Sequence, residues 1–210
     1  MINMLYDLLK HPFYILLHPI EGYSDMKREG KGKLYVASFF IAIMCIYSVV
    51  SFNALGVIVN SKNPSDFNSI KQILFVLVPI GLFTVGNWAV TTLFDGKGTL
   101  KNIYMMLGYA LFPFILLSFP NMIFSNVITI EEAGFYYMIH YLAIFLSGYM
   151  LFFGMINIHE YSVKKTVITT LMTIVAIGII IFLFLLFFTL IQQFAQFIYA
   201  IYRELALRYF

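Results

Sequence analysis

The sequence predicts an all-α polytopic membrane protein of five transmembrane helices, with the N-terminus inside and the C-terminus outside. Three observations lead there. Of the 210 residues, 61% are hydrophobic and only 11% charged, against roughly 25% charged in an average soluble domain. Five apolar stretches are each long enough to cross hydrocarbon, which takes about 20 helical residues. The basic residues are more numerous on one side when alternate connecting segments are taken together, as the positive-inside rule requires.

The chain divides into an N-terminal segment (1–33), a five-helix domain (34–191) and an amphipathic C-terminal helix (192–210). In the first, Leu5, Tyr6, Leu8, Leu9, Phe13, Tyr14, Leu16 and Leu17 come with few charges, and Pro12 and Pro19 cut the stretch into short pieces. It is too interrupted to span. It has neither the basic start nor the small-residue cleavage site of a signal peptide, and is expected to lie in the interface with its aromatics at headgroup level. "MKREGKGK" then places Lys27, Arg28, Lys31 and Lys33 just ahead of the first span. This cluster acts as a topology signal, and it can also hold anionic lipid headgroups.

The predicted spans are 34–58, 72–94, 103–124, 135–158 and a fifth from about 166 through the charge-free "IVAIGIIIFLFLLFFTL". Pro113 and Pro120 predict a bend in the third, because proline removes a helical hydrogen bond; Pro79 falls within the second. With the N-terminus inside, nine of the thirteen Lys and Arg lie on the cytoplasmic side, in the N-terminal segment and the second and fourth loops. The second loop, "LFDGKGTLKN", holds two glycines and two lysines. It lacks the Gly-x-x-x-x-Gly-Lys-Ser/Thr spacing and the preceding strand of a nucleotide-binding loop. It reads as a cytoplasmic turn whose Lys97 and Lys101 fix topology and can meet lipid phosphates.

Past the fifth span, Phe194, Phe197, Ile198, Ile201 and Leu205 recur at three- and four-residue spacing, with Gln192, Gln196, Tyr199 and Arg203 opposite. This is an amphipathic period. No glycine or proline separates it from the span, so the helix either bends onto the membrane or continues straight for about 43 residues, roughly 64 Å. A straight helix needs lipid or a protein partner along its apolar face.

Chemistry-bearing groups are sparse. His140 lies near a span end; Asn53, Asn87 and Asn157 are suited to bridging helices; Glu160 and Lys164 are spaced to pair along one helix turn. The lone Cys45 reads as a small hydrophobe. The spacing of none of these makes a catalytic set or a metal site, so no enzyme activity, cofactor, nucleotide or nucleic-acid partner is expected. A transporter would want charge at the midplane and two matching halves, and five spans supply neither. Gly81, Gly86, Gly148 and Gly154 are read as helix-packing positions and Gly108 with Pro113 as packing and bend positions.

Three stretches in order resemble the YIP1 family of small five-span membrane proteins: "HPIEGYSDMKREGKG" (18–32), "LFDGKGTLKNI" (93–103) and "GYALFPFIL" (108–116). The resemblance carries over Pro19, Gly22, Tyr23, Gly96, Gly98, Gly108, Tyr109 and Pro113 as turn and topology residues, and implies no catalytic residues. Eukaryotic members resemble vesicle-traffic adaptors that bind small GTPases through a long cytosolic segment, which this sequence does not contain. Bacterial members that lie beside carbohydrate importers suggest an accessory or scaffold subunit of an ABC-type sugar importer, in a bacterial cytoplasmic membrane, touching permease subunits and lipid. The other reading is a stand-alone small carrier or lipid-interacting protein.

Overall fold

In a computed structural model that describes residues 6–209, the described chain is helical wherever it is regular. A π-helical turn, Tyr6–Lys10, leads into α1 (His11–Leu17) and α2 (Pro19–Arg28). The spans follow as α3 (Leu34–Ala54), α4 (Ser69–Leu93), α5 (Leu100–Ala110) with α6 (Phe112–Phe124), α7 (Ala133–His159) and α8 (Val163–Tyr209). Five helices are long and apolar enough to cross a membrane, α5 and α6 together forming the third. Their bounds agree with the sequence reading to within a few residues.

Local sequence accounts for most ends. Asn68 caps α4 by accepting from the Lys71 N–H, and Thr99 caps α5 by accepting from the Asn102 N–H. Pro19 and Pro113 sit in the first turns of α2 and α6, where a missing N–H costs nothing. The helix breaks at Leu111, two residues ahead of Pro113, which is the bend expected of the third span.

The spans run up and down. One end of the bundle gathers the N-terminal helices with the 94–99 and 160–162 loops, tied by contacts of Glu160 to Lys27 and Lys97. The other end gathers the first and third loops. There the Gly56 N–H donates to Ser125 Oγ at 2.9 Å, and Asn126 Nδ2 donates to the Ala54 carbonyl. A Cβ on Gly56 would fall on the Ser125 carbonyl.

The N-terminal segment is more than a surface element. His11, Pro12, Ile15, Pro19, Gly22, Tyr23 and Met26 are buried. Tyr23 and Ile15 are fully enclosed, packed with Val36, Met106, Tyr109, Met150 and Ile158. The α1–α2 hairpin plugs one end of the bundle between α3, α5 and α7, its two helices meeting where Gly22 lies against the Ile15 backbone. Leu9, Phe13, Leu17 and Ile20 remain exposed, which leaves an apolar outer edge for the interface. Only that outer edge is free to meet an interface, and the hairpin belongs to the core.

Not every glycine read as a packing position has a neighbour. Gly86 meets Ile177, Gly154 meets Met106 and Tyr23, and Gly108 meets the Ala37 backbone. Gly81 and Gly148 face open space. Their helix faces point away from the bundle, so small size there brings no helices of this chain together.

Candidate functional site

The bundle end that carries the hairpin concentrates the polar chemistry. At its centre α7 stops at His159, and Glu160 takes a left-handed conformation at φ 56°. That turn ends the helical register before Lys164, so the expected Glu160–Lys164 pair gives way to a different set. Glu160 Oε2 lies 2.6 Å from Lys97 Nζ, and Oε1 lies 3.1 Å from Lys27 Nζ and 3.8 Å from Arg28. Lys27 also donates to the Ile158 carbonyl at 2.8 Å. One carboxylate thus latches α2, the second loop and the end of α7 together. Hydrogen bonds from Lys97 and Lys27 hold its pKa down to about 2.

Beneath the latch lies a buried polar chain. His159 Nε2 is 2.9 Å from Asn87 Oδ1, and Asn87 Nδ2 donates to Thr173 Oγ1 at 3.2 Å. All three residues are buried. Tyr161 stacks on the His159 ring and donates to the carbonyls of Phe94 and Thr91. The "DGKGT" loop folds over this ring, turned back by the Gly96 N–H donating to the Thr91 carbonyl. A Cβ on Gly96 would meet His159, Tyr161 and Thr91 below 3.0 Å, and one on Gly98 would meet His159 and Ile158. The two glycines are there to let the backbone close on an imidazole. Asn87→Ala strands His159 without its Nε2 partner, and is expected to cost about 1–3 kcal/mol, read as a lower thermal midpoint in detergent; an unchanged midpoint would show the chain carries no stability.

The six cations singled out from sequence are not equivalent. Lys27, Arg28 and Lys97 serve Glu160. Lys31 bridges Asp25 at 2.8 Å and Glu29 at 2.6 Å, and these hydrogen bonds raise its pKa further. Lys33 and Lys101 have no ion-pair partner among the described residues, and Lys33 lines a cleft together with His11. No group of three metal-ligating side chains occurs among the described residues.

The second feature is α8. Its first turns pack on α4 through Thr166, Thr169 and Thr173, each hydroxyl bonded back to a carbonyl four residues earlier. Past the contact of Gly86 with Ile177 the helix leaves the bundle, and every residue from Ile181 to Glu204 is exposed. The 47-residue helix runs unbroken to Tyr209, about 70 Å at 1.5 Å per residue, so the straight geometry is the one adopted. Phe194, Phe197, Ile198 and Ile201 are all exposed on it; the side chain of Leu205 lies outside the described residues. Asn87 bridges helices as its sequence reading expects, whereas sequence reasoning missed His159 as its partner and the cations of Glu160, because these join positions far apart along the chain.

Among protein families, the model of the Yip1 domain matches residues 13–186. The matched stretch takes in the hairpin and the bundle and ends within α8, just after that helix has left its neighbours. No curated protein and no solved structure matches the chain.

Proposed function

The chain belongs to the YIP1 family of multi-pass membrane proteins, and from that premise we propose that it is a non-enzymatic accessory or scaffold subunit of a larger membrane complex. The observation that carries this reading is the free length of α8. A helix that is apolar all round suits lipid or the interior of a protein. Beyond Ile191, however, Gln192, Gln193 and Gln196 alternate with Phe194, Phe197 and Ile198, and a lone helix of this kind projecting from a bundle is stabilised by docking. The bundle end supports the same view, since the two groups at its centre hold elements together: His159 on Asn87, Glu160 on three cations.

The partner class we favour is the permease pair of an ABC-type carbohydrate importer, in a bacterial cytoplasmic membrane. Its basis is the family resemblance of the sequence. The distribution of Lys and Arg supports placing the latch end in the cytoplasm and the free end of α8 outside.

The test is affinity purification of the tagged full chain from its native membranes in mild detergent. Recovery of stoichiometric permease and ATPase subunits is the expected result. Recovery of the chain alone, or sugar transport by the chain alone in liposomes, would overturn the reading. A variant ending at Ile191 should insert and keep its thermal midpoint while complex recovery falls at least about tenfold, the equivalent of 1.4 kcal/mol of binding. Undiminished recovery would remove α8 as the docking element.

A further inference from the structure

A cleft of about 480 Å³ opens between the N-terminal turn, α1 and the linker joining α2 to α3. That volume lies within the roughly 300–1,000 Å³ typical of small-ligand sites. Its lining mixes the carboxylates Asp7, Asp25 and Glu29 with Lys10, Lys31 and Lys33, beside Tyr14 and His11.

Two observations mark it as a built site. His11 is 6% exposed, and neither ring nitrogen has a hydrogen-bond partner among the described residues. Its ring stands edge-on to Tyr109, 5.6 Å between centroids. Burial lowers its pKa, so at neutral pH it is an imidazole with one donor and one acceptor unused. Buried polar atoms in native proteins nearly always have partners, and a lined cleft is where this one can be supplied. The second observation is that the lining carries both signs of charge. Lys31 is already held by Asp25 and Glu29, so that group of three carries a net negative charge. Lys33 has no ion-pair partner among the described residues, and its backbone N–H is fixed by donating to the Tyr109 hydroxyl. The cleft therefore offers carboxylates to a cation and lysines to an anion.

Its position selects an amphiphile. Lys33 is the residue before α3, where the chain enters its first span. Exposed Leu9, Phe13, Leu34 and Tyr35 surround this region, so acyl chains have apolar surface to follow from a head group at this level.

The geometry points to a binding site for a phosphoethanolamine head group, its phosphate on Lys33 and His11 and its ammonium on the Asp25–Glu29 carboxylates. A primary ammonium brings N–H donors that carboxylates accept. A quaternary choline has none and is recognised instead by cages of aromatic faces, whereas this wall is mostly charged. Phosphatidylglycerol matches the anionic half alone. The phospholipid, rather than free phosphoethanolamine, is the occupant, because of the apolar surroundings. This site is independent of the subunit reading, and α8 takes no part in it.

The experiment is native mass spectrometry of the full, delipidated chain in mild detergent, titrated with dioctanoyl phosphatidylethanolamine, phosphatidylcholine and phosphatidylglycerol, and with free phosphoethanolamine. One saturable phosphatidylethanolamine per chain is expected, with the other two lipids and the free head group weaker by roughly tenfold or more, as loss of one charge-assisted contact implies. Lys33→Gln and His11→Gln should each weaken it by a similar factor. Lys33 is exposed, so its variant keeps the test valid if His11→Gln fails to fold. Equal binding of all three lipids, no saturable lipid, or unchanged affinity in folded Lys33→Gln would each overturn the proposal. Free phosphoethanolamine binding as tightly as the lipid would show a soluble ligand and overturn the lipid assignment.

Discussion

Gly108→Val is expected to push α5 off α3 and to lower the stability of the bundle by about 3 kcal/mol, the upper range for overpacking. Even the first added carbon meets Ala37 at 2.6 Å from its Cα and 2.8 Å from its carbonyl oxygen. These are backbone atoms, so no rotamer change relieves the contact. The helices must separate, and with them goes the packing of Tyr109, Met106 and Phe40 on the α1–α2 hairpin. In a membrane the spans gain little from being apolar, because lipid is apolar too; close packing and interhelical hydrogen bonds hold them together. Loss of fit at a backbone crossing therefore has few compensations. Thermal or denaturant unfolding in detergent reads the effect, with Gly81→Ala and Gly148→Ala as controls. Both face open space, and both should leave the midpoint unchanged. If Gly108→Val unfolds with the wild type, the α3–α5 contact is not a determinant of the fold.

The contrast among these glycines marks how far sequence carried the fold. Span number and limits were legible because hydrocarbon thickness sets a length that five apolar runs meet. The bend before Pro113 was legible because a missing N–H acts locally. Which glycines face inward was not, since apolar residues are spread over every face of α4 and α7. Gly81 and Gly86 read alike in sequence, yet only Gly86 meets α8. The hairpin was missed as core for a related reason. Its aromatics and leucines suit the interface equally well, and only the tertiary placement of Tyr23 against Met106 and Met150 separates the two. The resemblance had singled out Pro19, Gly22 and Tyr23, and the structure supplies their physical reasons: a helix start, a close crossing and a filled core.

The site was less legible than the fold. Lysines before a first span and in a two-glycine loop look like free headgroup contacts, because their partner, Glu160, lies more than 60 residues from Lys97 and more than 130 from Lys27. The local rule offered Lys164 instead. It fails here because helical spacing has meaning only while the helix continues, and α7 ends at this residue in a left-handed turn.

That turn makes Glu160 the second position of large expected effect. Hydrogen bonds from Lys97 and then Lys27 lower its folded pKa from an ordinary 4.5 to about 2. A carboxylate depressed on folding stabilises the native state above its unfolded pKa and loses that contribution as pH falls through the folded value. The latch should accordingly be at full strength above about 4.5 and fade between there and about 2. Glu160→Gln is expected to lower the thermal midpoint at neutral pH and to flatten its decline over that acid window. Most of the effect should come through Lys27, whose side chain is 14% exposed, whereas Arg28 at 69% is largely solvated; exposed pairs are weak and screened by salt. Lys27→Met should therefore destabilise more than Arg28→Met. Glu160→Gly separates charge from backbone, because glycine relieves the left-handed strain while removing the same carboxylate. If Glu160→Gly matches or exceeds the wild type at neutral pH, the turn geometry alone holds this end of the bundle and the ion pairs do not. If it falls with Glu160→Gln, the carboxylate is what joins the hairpin, the glycine loop and the end of α7.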